Sequence, residues 1–259
     1  MDPTFAGCLA SFRRVVERSR AEDDRIGLFA TLYSGVTTGV ERRCAEGGFA
    51  EAARMERFVC AFADRYFAAH EAWRDHRPVV RSWAMTFDAA TRWRPVVLQH
   101  LLLGMNAHIN LDLGIVTAEM AGSAERLPLL RPDFESVNDV LGSMVEDCLR
   151  ALGSASPWFG LADRMGARHD EAVIRFSLRR ARAQAWSLAE RLVVLPVGEW
   201  PSEIDRTDQA VARIGHRVLH PGAALSAALM VVRLREPWRA GHAIDAIERQ
   251  EPGPSEGAP

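Results

Sequence analysis

The stretch PVVLQHLLLGMNAHINLDLGIVTAEMAG, residues 95–122, decides the fold. Pro95 suits a helix first turn, where its missing N–H has no intrahelical role, and the helical pattern runs to about Gly122. Val96, Val97, Leu98, Leu101, Leu102, Leu103, Ile109, Leu111, Leu113 and Val116 leave hardly any polar face. A helix apolar on every side is a buried one. Yet positions three, four and seven apart share a face, and here His108 and Asp112 lie four apart, with Glu119 seven further on. They share a stripe with Leu101, Met105 and Ile115, and Asn106 and Asn110 form a second row beside it. Burying an unpaired amide costs about 2–7 kcal/mol, and a carboxylate more. These polar groups therefore require a satisfied network, a metal ion or a water-filled pocket.

Outward from the central helix, apolar spacing of the helical period prevails and alternating strand patterns are nearly absent. Helices are expected over residues 4–20, 24–43, 50–73 and 76–94 before it, and over 134–152, 161–195, 204–219 and 223–235 after it. Gly47-Gly48, the turn-rich 153–160 and the span from Pro196 to Pro201 punctuate the pattern. No repeat or long linker divides the chain. The expectation is an all-α, single-domain multi-helix bundle around a buried central helix, spanning 1–249, with the Pro/Gly-rich 250–259 as a disordered C-terminal tail.

The 48% hydrophobic and 25% charged fractions are those of an ordinary globular protein, and a net charge of −2 supplies no field to recruit nucleic acid or an anionic membrane. Every permanently basic residue is Arg, which excludes Schiff-base and lysine-nucleophile chemistry. Cys8, Cys44, Cys60 and Cys148 have no CxxC spacing and point to neither a disulfide framework nor a thiolate zinc site. The opening MDPTFAGCLASFRRVVERSR turns polar too early for a secretory signal. Gln99, His100, Asn106, His108, Asn110 and Asp112 interrupt the most apolar run and would be costly in lipid. The expectation is a cytoplasmic protein with a small-molecule ligand, no nucleic acid and no membrane as partner, its oligomeric state left open.

His108 oriented by Asp112 is suited to proton transfer near neutrality. Asn106, Asn110 and Asn138 are placed to polarise a carbonyl or hold a water. The same HxxxD pair is also a candidate pair of ligands for a divalent metal, zinc or iron, with Glu119, His100 or His216 supplying the remainder. Against this, His220, the partner of His216, precedes Pro221 and is biased out of the helix, and His100 lies about 80° round from His108. GxSxG and Gly-rich phosphate motifs are absent, and the missing strands rule out a Rossmann nucleotide cofactor.

A second constellation is Arg175, Arg179, Arg182 and Trp186, a guanidinium stripe ending in an indole. It reads either as a solvated face or as the holder of an anionic substrate group, or as a partner for buried Asp112 or Glu119. Arg182, among Ala181, Ala183 and Ala185, is the member expected to reach inward. Asn138, among Val137, Val140, Leu141 and Met144, is either a helix-to-helix hydrogen bonder or a pocket donor. Asp88 is expected to be a core-facing ion-pair partner, and Trp73, Trp83 and Trp93 read as packing.

GMNAHINLDLG, from Gly104 to Gly114, closely resembles the signature of an uncharacterised bacterial family, domain of unknown function 5995. FATLYSGVTTGV (Phe29–Val40), FADRYFAAHEAW (Phe62–Trp73), SVN (Ser136–Asn138) and RAQAWSLAERL (Arg182–Leu192) resemble that family's other blocks in the same order, so the resemblance covers about residues 20–195. It implies a helical fold of unassigned activity and singles out Asn106, His108, Asn110, Asp112, Asn138, Arg182 and Trp186. At His100 the family carries an apolar residue more usually, which either counts against His100 as a ligand or marks a specialised variant.

Two functional readings follow. The first is an enzyme acting on a small, partly apolar organic molecule in an interhelical pocket, a hydrolase or a lyase or cyclase of secondary metabolism. His108 and Asp112 would move the proton, Asn106, Asn110 and Asn138 would position the reacting group, and Arg182 with Trp186 would hold an anionic end, with or without a divalent metal. The alternative is a non-catalytic helical ligand-binding or interaction protein whose buried polar row is structural. A cavity beside His108 favours the first, and a dry, fully packed surround the second.

Overall fold

Residues 4–137, 170–236 and 239–249 are described by a computed structural model. Among them are ten α-helices and no strand. Four helices precede the central rod: α1 (Phe5–Glu22), α2 (Ile26–Ala45), α3 (Ala52–Arg74) and α4 (Arg81–Ala90). The rod itself is α5 (Val97–Ala107), a π-helical segment (His108–Asp112) and α6 (Leu113–Ala121). After it come a 3-10 turn (Leu127–Leu130), a helical stretch over 131–137, and the helices α7 (Asp170–Val194), α8 (Trp200–Leu219), α9 (Ala223–Arg233) and α10 (Ala240–Glu248). The fold is all-α around a buried central helix, as the apolar pattern requires.

Local chemistry sets the helix ends. The Thr4 hydroxyl accepts the Gly7 N–H at 3.2 Å to start α1, which stops at Asp23 in the left-handed region, φ 54°. At the head of the rod, Gln99 Oε1 accepts the Val96 N–H at 3.1 Å, and the Glu236 carboxylate accepts the Val97 N–H at 3.1 and 3.2 Å. A carboxylate there satisfies an orphan donor and complements the helix dipole. It also ties the C-terminal part of the chain to the rod.

Val97–Ala121 is long and apolar enough to cross a membrane, yet 89% of its most apolar window is buried inside the protein. Two glycines let neighbours close on it. A Cβ on Gly104 would meet Cγ of Phe29 at 2.6 Å, and one on Gly114 would meet the Ala185 carbonyl at 2.7 Å and Leu188 Cβ at 2.9 Å. Phe12, Leu28, Tyr66, Trp83, Leu188 and Ile244, from six different helices, are among the fully buried residues around it.

Several boundaries differ from expectation. The helix expected over 76–94 spans only Arg81–Ala90, because His76 adopts φ 55° and Pro78 disfavours helix at the residue before it. Helix α8 begins at Trp200, four residues early, with Pro201 in its first turn, where proline is tolerated. Helix α10 was not anticipated; it is nine residues long and docks Ala243, Ile244 and Ile247 on the core. The expected helix beyond residue 137, the start of that over 161–195 and the tail 250–259 lie outside the described residues.

Candidate functional site

The Leu113 N–H bonds to the His108 carbonyl, five residues back, which makes the middle of the rod π-helical. Such a widened turn is frequent at functional sites. Around it, Asp112 accepts three hydrogen bonds: from His108 Nδ1 at 3.1 Å and Trp83 Nε1 at 2.8 Å on Oδ2, and from Arg65 Nε at 3.0 Å on Oδ1. Arg65 also approaches Glu119 at 3.7 Å. One carboxylate thereby joins α3, α4 and the rod.

The His108 ring is 0% exposed. It stacks on Phe62 with ring centres 3.6 Å apart and planes 3° from parallel. Tyr33, Phe29 and Trp83 close the box at 4.6, 5.6 and 5.8 Å. Burial pulls its pKa below the ordinary histidine range, outweighing the Asp112 hydrogen bond and charge that oppose the shift. The ring is thus neutral, with its proton on Nδ1 facing the carboxylate. Its Nε2 lone pair is buried without a partner among the described residues. For Asp112, burial favours the neutral acid, but the His108 hydrogen bond and the Arg65 charge hold it below the usual carboxylate range.

The amide row faces elsewhere. Asn106 Nδ2 donates to the Val211 carbonyl of α8 at 2.9 Å, and Asn110 Nδ2 donates to Asn106 Oδ1 at 3.1 Å. Asn110 lines a groove between α7 and α8 of about 570 Å³, with Gln184, Ser187, Arg191, Glu203 and Thr207. The amides and the imidazole therefore do not look into one shared hollow. The physical reason is the helix itself: two positions of offset turn the asparagines away from His108.

Arg182 turns inward and is 5% exposed. Its Nη2 donates to the Phe134 carbonyl, its guanidinium lies 4.3 Å over the Phe134 ring, and its Nε has no partner among the described residues. Desolvation lowers its pKa to about 10. The expected pairing with Asp112 or Glu119 is not formed, because Arg65 occupies both. Trp186 packs edge-on against Phe134 at 5.1 Å and donates to Glu190 at 2.9 Å. Arg179 is exposed, whereas Asn138, Cys148 and the Arg175 side chain lie outside the described residues.

Arg182 borders a cavity of about 40 Å³ whose other walls include Tyr33, Val36, Met55, Val59, Phe62 and Ile109, with Arg54 and Asp133 at one side. Tyr33 and Phe62, which pack on His108, both line this cavity, and His108 itself does not.

The candidate metal ligands are dispersed. Among the described residues no three His, Cys, Asp or Glu side chains are grouped to hold an ion. Glu119 is exposed beside Arg65, and His216 sits on the surface of α8, stacked on His220 at 4.4 Å. His100 is buried elsewhere on the rod, its pKa pushed down to about 3 by burial.

Sequence reasoning missed Arg65 and Trp83. Arg65 stands in the FADRYF block between residues of a buried helix, a position where a cation needs an anion, and that was its one signal. Trp83 is packed as expected, but its N–H is also a ligand of the carboxylate. Asp88, expected to face the core, is exposed and accepts Trp73 Nε1 at 3.0 Å.

The sequence profile of the family of unknown function DUF5995 matches residues 6–221, most of the chain, and the chain belongs to that family. No curated protein and no solved structure matches it.

Proposed function

We propose that this member of the family binds a small molecule in the cavity between α2, α3, the π-helical segment and α7, and that the His108–Asp112–Arg65–Trp83 network braces the aromatic wall of that cavity. The observation that carries this is the shared wall: Phe62 stacks on a fully buried imidazole, Tyr33 packs edge-on against it, and both also face the cavity. Protein interiors are close-packed, and an apolar void forfeits dispersion contacts. An apolar hollow with a few convergent polar groups, here Arg54, Asp133 and Arg182, is the usual form of a ligand site.

Its size limits the ligand. A water needs about 10–15 Å³ by this measure, and benzene was accommodated by about 150 Å³. A space of about 40 Å³ therefore takes roughly three or four non-hydrogen atoms. Half-buried Arg54, Phe58 and Val137 form the mouth, where the rest of a longer molecule would lie. Xenon-129 NMR tests the proposal. A saturable shift is expected for the wild-type protein and its loss in a folded Val59→Phe variant; no saturable shift in the wild type would overturn it.

One observation favours catalysis as a second reading. An imidazole with Nδ1–H held by a carboxylate and Nε2 free is the arrangement of an oriented general base, and His108 has both features. Hydrolysis or a lyase or cyclase step would then require Tyr33 or Phe62 to swing aside so that substrate reaches Nε2. His108→Phe separates the two: it preserves the stacked wall and binding under the first reading, and abolishes turnover under the second.

A further inference from the structure

We infer that the ligand of this cavity is a monocarboxylate, its carboxylate seated on Arg182 and its apolar remainder leading out past Phe58 and Val137. The inference rests on the cavity being a ligand site. Arg182 and Arg233 are the buried arginines among the described residues. Arg233 has the Glu236 carboxylate at 3.9 Å. Arg182 has one backbone carbonyl and one aromatic face, and no carboxylate of the described residues pairs with it. The acid nearest to hand on the cavity wall, Asp133, is committed to Arg54 at 2.5 Å and to the Ala50 N–H at 2.7 Å. The Tyr33 phenol, which also lines the cavity, is kept neutral by burial and supplies no negative charge.

A guanidinium taken out of water without a counter-ion is strongly destabilising. A ligand anion would remove that penalty, and the unpartnered Nε offers it a donor. Carboxylate fits better than phosphate on two grounds. Its planar three atoms plus one carbon match the space available, and one negative charge balances the guanidinium on the cavity wall that no carboxylate of the described residues pairs with, Arg54 being neutralised by Asp133. Planar fork-to-carboxylate pairing is the geometry arginine favours.

The test compares 3-methylbutanoate, 3-methylbutanamide and 3-methylbutan-1-ol by calorimetric titration at pH 7, with the full-length wild type, Arg182→Lys and Arg182→Met. The acid is expected to bind the wild type at least about tenfold more tightly than the amide or the alcohol, a preference reduced in Arg182→Lys and lost in Arg182→Met. Arg182→Met without ligand is expected to melt no lower than the wild type, since it removes a buried guanidinium that no carboxylate of the described residues pairs with. Equal binding of acid, amide and alcohol by the wild type would overturn the carboxylate assignment and leave the cavity as a ligand site. If none of the three binds and xenon also fails, the cavity reading itself falls. The wild-type comparison decides even if a variant does not fold.

Discussion

Replacing Asp112 by Asn tests the brace at its centre. The carboxylate is 1% exposed and receives three donors on two oxygens, from His108, Trp83 and Arg65. Asparagine offers one acceptor oxygen and one NH2. With the amide oxygen toward Trp83 and His108, its NH2 faces the Arg65 N–H groups; flipped, it faces two donors at once. The first orientation costs less, because the Arg65 side chain is 30% exposed and can turn to water. Losing that charge-assisted bond, discounted for solvent, and weakening two others from charged to neutral sums to about 3 kcal/mol. In a chain of this size that lowers Tm by about 6–12 °C. Differential scanning calorimetry at pH 7 reads the shift, and urea unfolding followed by circular dichroism reads the free energy. The Asp112 carboxyl is held below its usual range in the folded state, so its contribution is fully present above about pH 4 and fades as pH falls through the folded value. Asp205→Asn serves as control: its pair with Arg81 is half exposed on both sides and screened by solvent, so its loss should barely move Tm. If Asp112→Asn were as mild as that control, the network would not be the brace described.

Three histidines give a pH signature: burial pushes His70 down to about 4, His100 to about 3, and His108 below its ordinary range. The unfolded chain takes up these protons first, near pH 6.5, so stability is full above that value and falls between pH 7 and 5.5 by roughly 2–3 kcal/mol from His70 and His100, with His108 acting in the same direction; a flat urea midpoint over that window would contradict it. Gly114→Ala is expected to destabilise by about 2–3 kcal/mol, because its Cβ would meet the Ala185 carbonyl and Leu188 and force α7 off the rod; a neutral Tm change would show that contact to be looser. His108→Phe should cost about 1–2 kcal/mol and His108→Ala about 3–5, since only the second empties the aromatic box; equal losses in chemical denaturation would speak against stacking as the ring's role. Glu236→Gln should lower Tm by only a few degrees, through loss of charge at the α5 N-terminus; no change would mean the cap is not used in solution.

The buried rod was legible because ten apolar residues leave residues 95–122 no solvent face, and that pattern alone sets the fold class. The HxxxD pair was legible for the same reason: a His and an Asp in such a setting must meet partners. Which partners was not legible. Arg65 and Trp83 lie 47 and 29 residues away from Asp112, and no local spacing encodes a contact between helices. Nor did helical periodicity show that Asn106 and Asn110 serve α8 while His108 serves α2, α3 and α4, since the neighbours of each face depend on the packing order of the bundle. Arg182 was placed inward by its small flanking residues, and its partner Phe134 emerged only from the fold. Helix α10 is too short for its spacing to stand out from the loop before it.

Whether the His108 imidazole gains a proton near neutrality decides most directly whether the centre of the rod is a brace or an acid–base group, since a general base needs a pKa near its working pH whereas the neutral Nδ1–H form is common to both. Nitrogen-15 NMR of the labelled imidazole, recorded from pH 8 to 5.5, should show a neutral ring with its proton on Nδ1, unchanged across the range and unmoved in charge when a ligand fills the neighbouring cavity. A ring that titrates near pH 6.5, or that carries its proton on Nε2, would contradict that assignment.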